Sequence, residues 1–465
     1  MKKIIKLYKV SFIALLLSIS SCNDNLDLKP EDSIEQSVVL TSPNLIKGAV
    51  TGIYSKLQDS DIYGQPQMIA EFMADNVNFV GSFPSLRAIR DYETLATNRS
   101  IDGYWIKTFE SLAATNFIIT NFPSISSNLI TEDERTSYIA QAKFIRALLN
   151  FELVNLFAQP YQFSNGTNLG IPLVFEFFEG DISPFQKERS TLNEVHNQIE
   201  SDLNDAIANL PNGNNASASK GAAQALLARL YLYRGQWSDA ANLANEVIQS
   251  GQYSLSSNYD FYNDKSENTE HIFTVINSSA DPIVGSGSTA FYNASPLGRG
   301  DAPFSQNLID AFNDEAGDLR FSDLSVAAAD AGGNNTFFTT KYSDGTNSAS
   351  LSPVLRITEM YLIRAEANLN AGSSIGDTPL NDINRLRTRA GLPALASVNI
   401  DQILTERRKE LCFEGHRRMD LLRNNRNLRP DNGAKSAPGA DKVILPIPDD
   451  EINLNPNITQ SPGNF

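Results

Sequence analysis

The stretch KGAAQALLARLYLYRGQWSDAANLANEVIQSG, Lys220 to Gly251, decides the fold. On either side of Gly235, apolar and small residues recur at three- and four-residue spacing, the pattern of two helices joined by a tight turn. Ala228, Tyr231, Ala240, Ala244 and Val247 mix small and bulky side chains so that two antiparallel helices can approach closely. Such a hairpin cannot bury its apolar face alone, so neighbours of the same kind are needed.

The spacing is that of the tetratricopeptide repeat, and two further segments repeat it less regularly: RITEMYLIRAEANLNAG and AQAKFIRALLNFELVNLFA. Helical patterns run over Asn44 to Gln58, Asp102 to Asn121, Glu132 to Phe157 and Leu192 to Leu210. They continue over Lys220 to Arg234, Ser238 to Gln249, Val354 to Asn370, Leu380 to Ala390 and Asp401 to Arg423, many preceded by a capping side chain. The expected fold is mainly α, a solenoid of tetratricopeptide-like helix pairs. Residues 59–100, 158–190 and 252–350 interrupt it with long inserted loops that carry aromatics and a few short strand-like pieces, HIFTVIN and IPLVFEFF. Loops of that length in a compact protein are usually functional or disordered, and their aromatics favour ordered function.

At the N-terminus, Lys2, Lys3, Lys6 and Lys9 precede an apolar run, Val10 to Ile19, and small Ser20 and Ser21, the order of an export leader. Ten such residues form a helix of about 15 Å, roughly half a bilayer core, too short for a permanent span. Ile19-Ser20-Ser21-Cys22 resembles the bacterial lipobox, which implies that Cys22 is lipidated, becomes the first residue and tethers the chain to a membrane. The expected organisation is a signal peptide over 1–21, a lipidated terminus and linker over 22–41, and one domain over 42–465. Cys412 would then be the sole remaining thiol, so no intramolecular disulfide is expected, and its apolar setting marks it as a buried small hydrophobe. The chain has 38 basic and 54 acidic residues, and four of the basic ones lie in the leader; such an acidic surface argues against nucleic-acid binding.

Among catalytic signatures, H-E-x-x-H, the P-loop, G-x-S-x-G and a complete G-x-G-x-x-G are absent from the sequence, and His196, His271 and His416 lack metal-ligand spacing. Glu176/Glu179 and Asp449/Asp450 could imitate a glycosidase pair, but in so acidic a chain they read as solvated charge. The tripeptide within GRGD, Gly298 to Asp301, is too short to carry a function and reads as a turn or binding loop. The run ILTERRKELCFEGHRRMDLLR reads as a salt-bridged structural helix.

That run, with LRITEMYLIRAEANLNAG, LNDINRLRTRAGL and ILPIPDDEINLNPNITQSPGNF in order around it, resembles the C-terminal signature of the SusD/RagB family of nutrient-binding lipoproteins. YWIKTFESLAATNFII, AKFIRALLNFELVNLFA and GIPLV extend the resemblance through the N-terminal half. The resemblance implies a tetratricopeptide-like protein, anchored by lipid at the bacterial outer membrane and facing the cell surface. It implies a binding subunit and not an enzyme, without a cofactor; whether calcium supports a loop stays open. The implied ligand is a glycan, delivered to a SusC-like TonB-dependent transporter as partner. Family members often stack sugars on loop tryptophans, whereas Trp105 and Trp237 here fall in predicted helices, where packing is the simpler role.

A sugar site needs flat aromatic surface ringed by planar polar groups. The loop DIYGQPQMIAEFMADNVNFVGSFPSLRAIRDY offers Asp75, Asn76, Phe83 and Arg87, and GSGSTAFYNASPLGRGDAPF offers Tyr292 and Arg299. For each, ordinary packing or ion pairing competes with ligand contact. Two functions stay open, a glycan-binding lid and a peptide-binding lid holding an extended backbone; the scarcity of loop tryptophan tilts modestly toward the second.

Overall fold

The computed structural model describes residues 36–213, 215–264, 268–282, 287–346 and 349–463. The leader, Cys22 and most of the expected linker lie outside them. Compact packing divides the chain into two units, Met1–Gly48 and Ala49–Phe465.

The labelled helices are α1 (Pro43–Leu57), α2 (Gln65–Met73), α3 (Pro84–Arg90), α4 (Arg99–Asn121), α5 (Glu132–Phe157), α6 (Leu192–Asn209), α7 (Lys220–Arg234) and α8 (Trp237–Gln249). After them come α9 (Gly287–Tyr292), α10 (Gln306–Asn313), α11 (Leu319–Leu324), α12 (Ile357–Ala371), α13 (Pro379–Arg389), α14 (Ile400–Leu411) and α15 (Arg417–Arg423). From α2 onward all of them belong to the second unit. The array is the expected solenoid: α4 packs on α5, α5 on α6, α6 on α7 and α7 on α8, and then α8 packs directly on α12, which packs on α13. Helix ends follow the chemistry of their caps. Thr131 with Glu134 and Thr191 with Glu194 close capping boxes on α5 and α6. Gly235 ends α7 at φ +73°, donating to Leu232 while Gln236 N donates to Tyr231 O, a left-handed turn natural for glycine.

Among the described residues, four strands form two antiparallel pairs. β1 (His271–Val275) pairs with β4 (Ser352–Arg356), and between them the insertion carries the hairpin of β2 (Ser325–Ala329) and β3 (Asn335–Thr339). The β1–β4 pair therefore closes the base of the insertion and lets α8 and α12 meet as though it were absent.

The segments 59–100 and 252–350, expected as loops with short strand-like pieces, also form helices α2, α3 and α9 to α11, and three of the expected elements come out differently. The helix expected from Val354 begins at Ile357, because Arg356 is extended and β4 takes the residues before it. The helix expected over Asp401 to Arg423 breaks at residues 412–416, where Phe413 has φ +67° and Gly415 φ +86°. IPLVFEFF runs without strand pairing among the described residues; only Leu169 and Thr191, at its base, form a bridge.

The C-terminal charge run forms helices whose charges lie inside the protein. Arg229 of α7 meets Glu359 of α12 at 2.6 Å, Arg364 meets Asp382 at 2.6 Å, and Arg320 and Arg387 each meet Glu406 at 2.6 Å, with side chains at most 4% exposed. Glu414 accepts from Lys341 at 2.7 Å, Arg356 at 2.8 Å and Tyr262 at 2.6 Å. These cations hold its carboxyl well below the usual range despite burial. A network of this kind gains little over apolar packing, but removing one member leaves a charge stranded.

Candidate functional site

The loop after α2 and the loop after α9 run side by side. Val77 bridges Phe304, Asn78 N donates to Pro303 O at 3.0 Å, and Val80 N donates to Asp301 O at 2.8 Å. The seam is pinned from below. Asp75 takes two hydrogen bonds from Arg417, at 2.7 and 3.0 Å, and Asn76 Oδ1 accepts from Arg408 Nε at 2.8 Å. Asn76 Nδ2 donates to Glu71 Oε2 and Gly415 N to Glu71 Oε1, both at 2.9 Å. Burial pushes the Glu71 carboxyl up to about 7.

Gly81 marks the closest approach of the two loops: a Cβ there would stand 2.6 Å from the Phe79 ring and 2.7 Å from Asp301 Cγ. Phe83 follows, its half-buried ring edge-on to Phe291 at 5.6 Å. The Arg299 guanidinium lies over the same ring, 4.4 Å from its centre, and its Nε donates to Asp301 at 2.9 Å. Arg87 Nε donates to Gly81 O at 2.9 Å.

On the same short helix, Pro84, Ser85 and Ala88 line a hollow of about 390 Å³ completed by Leu95, Asn98 and Arg99. Leu95 is 65% exposed, an apolar side chain standing in an open depression. A second hollow of about 190 Å³ shares Thr97 and Arg99 and adds Asp102, Asp449 and Asp450. Burial, then the nearby Asp450, raises the Asp102 carboxyl. Together these features make an amphipathic surface with an aromatic edge, three guanidinium groups and a polar rim, suited to hold a hydroxylated ring or chain. By contrast, the enclosed cavity around Gln67, Glu152 and Arg418 has about 30 Å³, room for water and not for a sugar ring.

Of the six residues chosen from sequence, Phe83, Arg87 and Arg299 come together at this surface. Asp75, Asn76 and Tyr292 do not. Asp75 and Asn76 are structural pins, and Tyr292 is fully buried between Phe72, Tyr342 and Phe413, so its ring offers no face to a ligand. Sequence reasoning missed Leu95 and Arg99, and Phe291, which supports Phe83 from within the core. An isolated leucine in YETLATNRS was the only available hint of Leu95. Trp105 is buried against Phe157. All three histidines are buried, and Glu176 pairs with Lys187 at 2.8 Å. Cys412 is buried, its thiol pushed up to about 11, as suits an inert side chain.

Two family models match the chain. One, described as the SusD family, covers residues 315–463; the other, described as starch-binding and associating with the outer membrane, covers residues 24–232. The chain is 27% identical over 527 aligned residues to SusD-like protein P2 of Formosa agariphila, spanning 98% of this chain and 100% of that protein. A SusD superfamily protein from Bacteroides thetaiotaomicron VPI-5482 has the same fold, with a TM-score of 0.83 at 25% identity, covering 90% of this chain and 100% of the other. A laminarin-binding SusD-like protein shares the fold with a TM-score of 0.77 at 24% identity, over 91% and 99% of the two chains.

Proposed function

Since the chain belongs to the SusD/RagB family, we propose that it binds a nutrient glycan at the cell surface and passes it to a SusC-like TonB-dependent transporter of the outer membrane. In this reading the lipid on Cys22 tethers it and no bond of the ligand is broken. The observation that carries the reading is the surface where Phe83, Phe291 and Arg299 meet beside the Leu95 hollow, built on the seam of two inserted loops. A family model described as starch-binding and a laminarin-binding protein of the same fold support the ligand class.

The geometry suggests how binding works. Leu95 and Pro84 take the C–H face of a sugar, while Arg99 in the hollow and Arg87 and Arg299 beside Gly81 supply donors for its hydroxyl rim. Contacts of this kind are shallow and remain partly wet, which suits capture and release. Calorimetric titration of the detergent-solubilised chain against oligosaccharides and peptide digests tests the proposal. A saturable glycan signal that falls in Phe83→Ala is expected; a signal from peptides alone would replace it with the peptide-lid alternative. That alternative draws on one observation: no tryptophan is among the residues that build the surface, whose arginines could hold a peptide carboxylate.

A further inference from the structure

We infer that the Arg87–Arg299 edge of this surface recognises an anionic group, so that the glycan taken is one bearing carboxylates or sulfate esters; this rests on the glycan reading above. Both arginines are held by Nε. Arg87 Nε is bound to Gly81 O at 2.9 Å, and Arg299 Nε to Asp301 Oδ2 at 2.9 Å. Asp301 itself packs against Gly81, as the 2.7 Å clearance to a Cβ on that glycine shows. Both guanidinium groups are therefore anchored beside Gly81, Arg87 on its carbonyl and Arg299 on the carboxylate packed against it. Guanidinium nitrogens donate and never accept, and their strongest partners are planar or tetrahedral oxyanions.

Charge around Gly81 agrees, whereas Asp102, Asp449 and Asp450 make the second hollow, beside Arg99, the acidic end of the surface. Asp91 pairs with Arg90 at 2.7 Å, Glu93 with Lys435 at 3.0 Å and Asp301 with Arg299, while Arg87 has no ion pair among the described residues. In a chain of net charge −16, a cation left over on an exposed face of α3 is a local exception to a field that otherwise repels anions. Arg299 also covers the Phe83 ring at 4.4 Å, so that the group offered to a ligand is the guanidinium rather than the aromatic face.

The test is affinity electrophoresis and calorimetry of the full chain in detergent with dextran, dextran sulfate, polygalacturonate and peptides with a free C-terminal carboxylate. At least tenfold preference for dextran sulfate or polygalacturonate over dextran is expected, shrinking as sodium chloride rises. Which polymer wins identifies the oxyanion as sulfate or carboxylate. Arg87→Gln and Arg299→Gln should each remove most of the preference with an unchanged melting temperature; Arg87 is exposed, so its variant stays informative if the other fails to fold. Dextran bound as tightly as the anionic polymers would overturn the inference and leave the glycan reading standing. Binding of peptides alone would overturn both. A preference indifferent to both substitutions, or no binding to any probe, would also overturn it.

Discussion

Arg299 and Phe83 act as one unit, because the guanidinium lies 4.4 Å from the ring centre and each side chain fixes the other. Phe83→Ala frees Arg299 to wander and should weaken glycan binding by about 1 kcal/mol, the scale of an exposed cation–π contact; calorimetry would show it, and an unchanged constant would move the site elsewhere. Tyr292 behaves differently. Its ring is core and its hydroxyl is buried without a partner among the described residues. Tyr292→Phe should therefore leave affinity unchanged and stability within about 1 kcal/mol of the parent, or slightly higher, in urea melts. A clear loss of affinity would restore Tyr292 to the site. At this scale the sequence was half legible. Aromatic and arginine content in two loops pointed to Phe83, Arg87 and Arg299, which the fold brings together, but Asp75 and Tyr292 look the same on paper whether they face ligand or protein. Only Arg417, 342 positions away from Asp75, decides that case.

Helix ends were the most legible elements, since Thr131, Thr191 and Gly235 carry their caps in the sequence itself. Pro66 and Pro84 in the first turns of α2 and α3 were equally plain signals, although both helices fell inside a segment read as loop. The break between α14 and α15 was not legible, because the run around it keeps its helical pattern and the turn is imposed from outside. Gly415 presses on α2, where a Cβ would come within 2.7 Å of Gln67 Cα, and its φ of +86° strains any other residue. This turn also pins the site through Glu71, whose carboxyl accepts from Gly415 N and Asn76 Nδ2. Burial raises that carboxyl from 4.5 to about 7 in the fold, so the folded state holds the extra proton between those values. Its contribution is complete below pH 4.5 and is lost as pH rises through 7. Between pH 5 and pH 8 the loss is about 2 kcal/mol. Glu71→Gln should flatten that part of the stability–pH curve; denaturant melts of both proteins that stay parallel over the range would show that Glu71 does not titrate there.

At the scale of the whole molecule, helix pairs supply a frame and the insertions supply the surface. Antiparallel pairing of β1 with β4 brings the ends of the third insertion together, so its loop can lie along the loop after α2 without disturbing the packing of α8 on α12. A rigid frame bearing a shallow site is what a capture protein needs, provided it is held near the transporter that takes its cargo. In the proposed function diffusion away would undo capture, so tethering would belong to it as much as the site does. The proposed tether, Cys22, lies outside the described residues, and its case rests on the run Ile19-Ser20-Ser21-Cys22 after an apolar segment. Several acyl chains at about 0.8 kcal/mol per buried methylene would hold the protein at a membrane with no spanning helix. Cys22→Ala should therefore move the protein from the membrane to the soluble fraction and abolish incorporation of labelled palmitate, while the purified variant binds glycan as the parent does. If the variant still pelleted with membranes and took up palmitate, anchoring would have to come from another residue; if it lost glycan affinity, the tether and the site would be coupled.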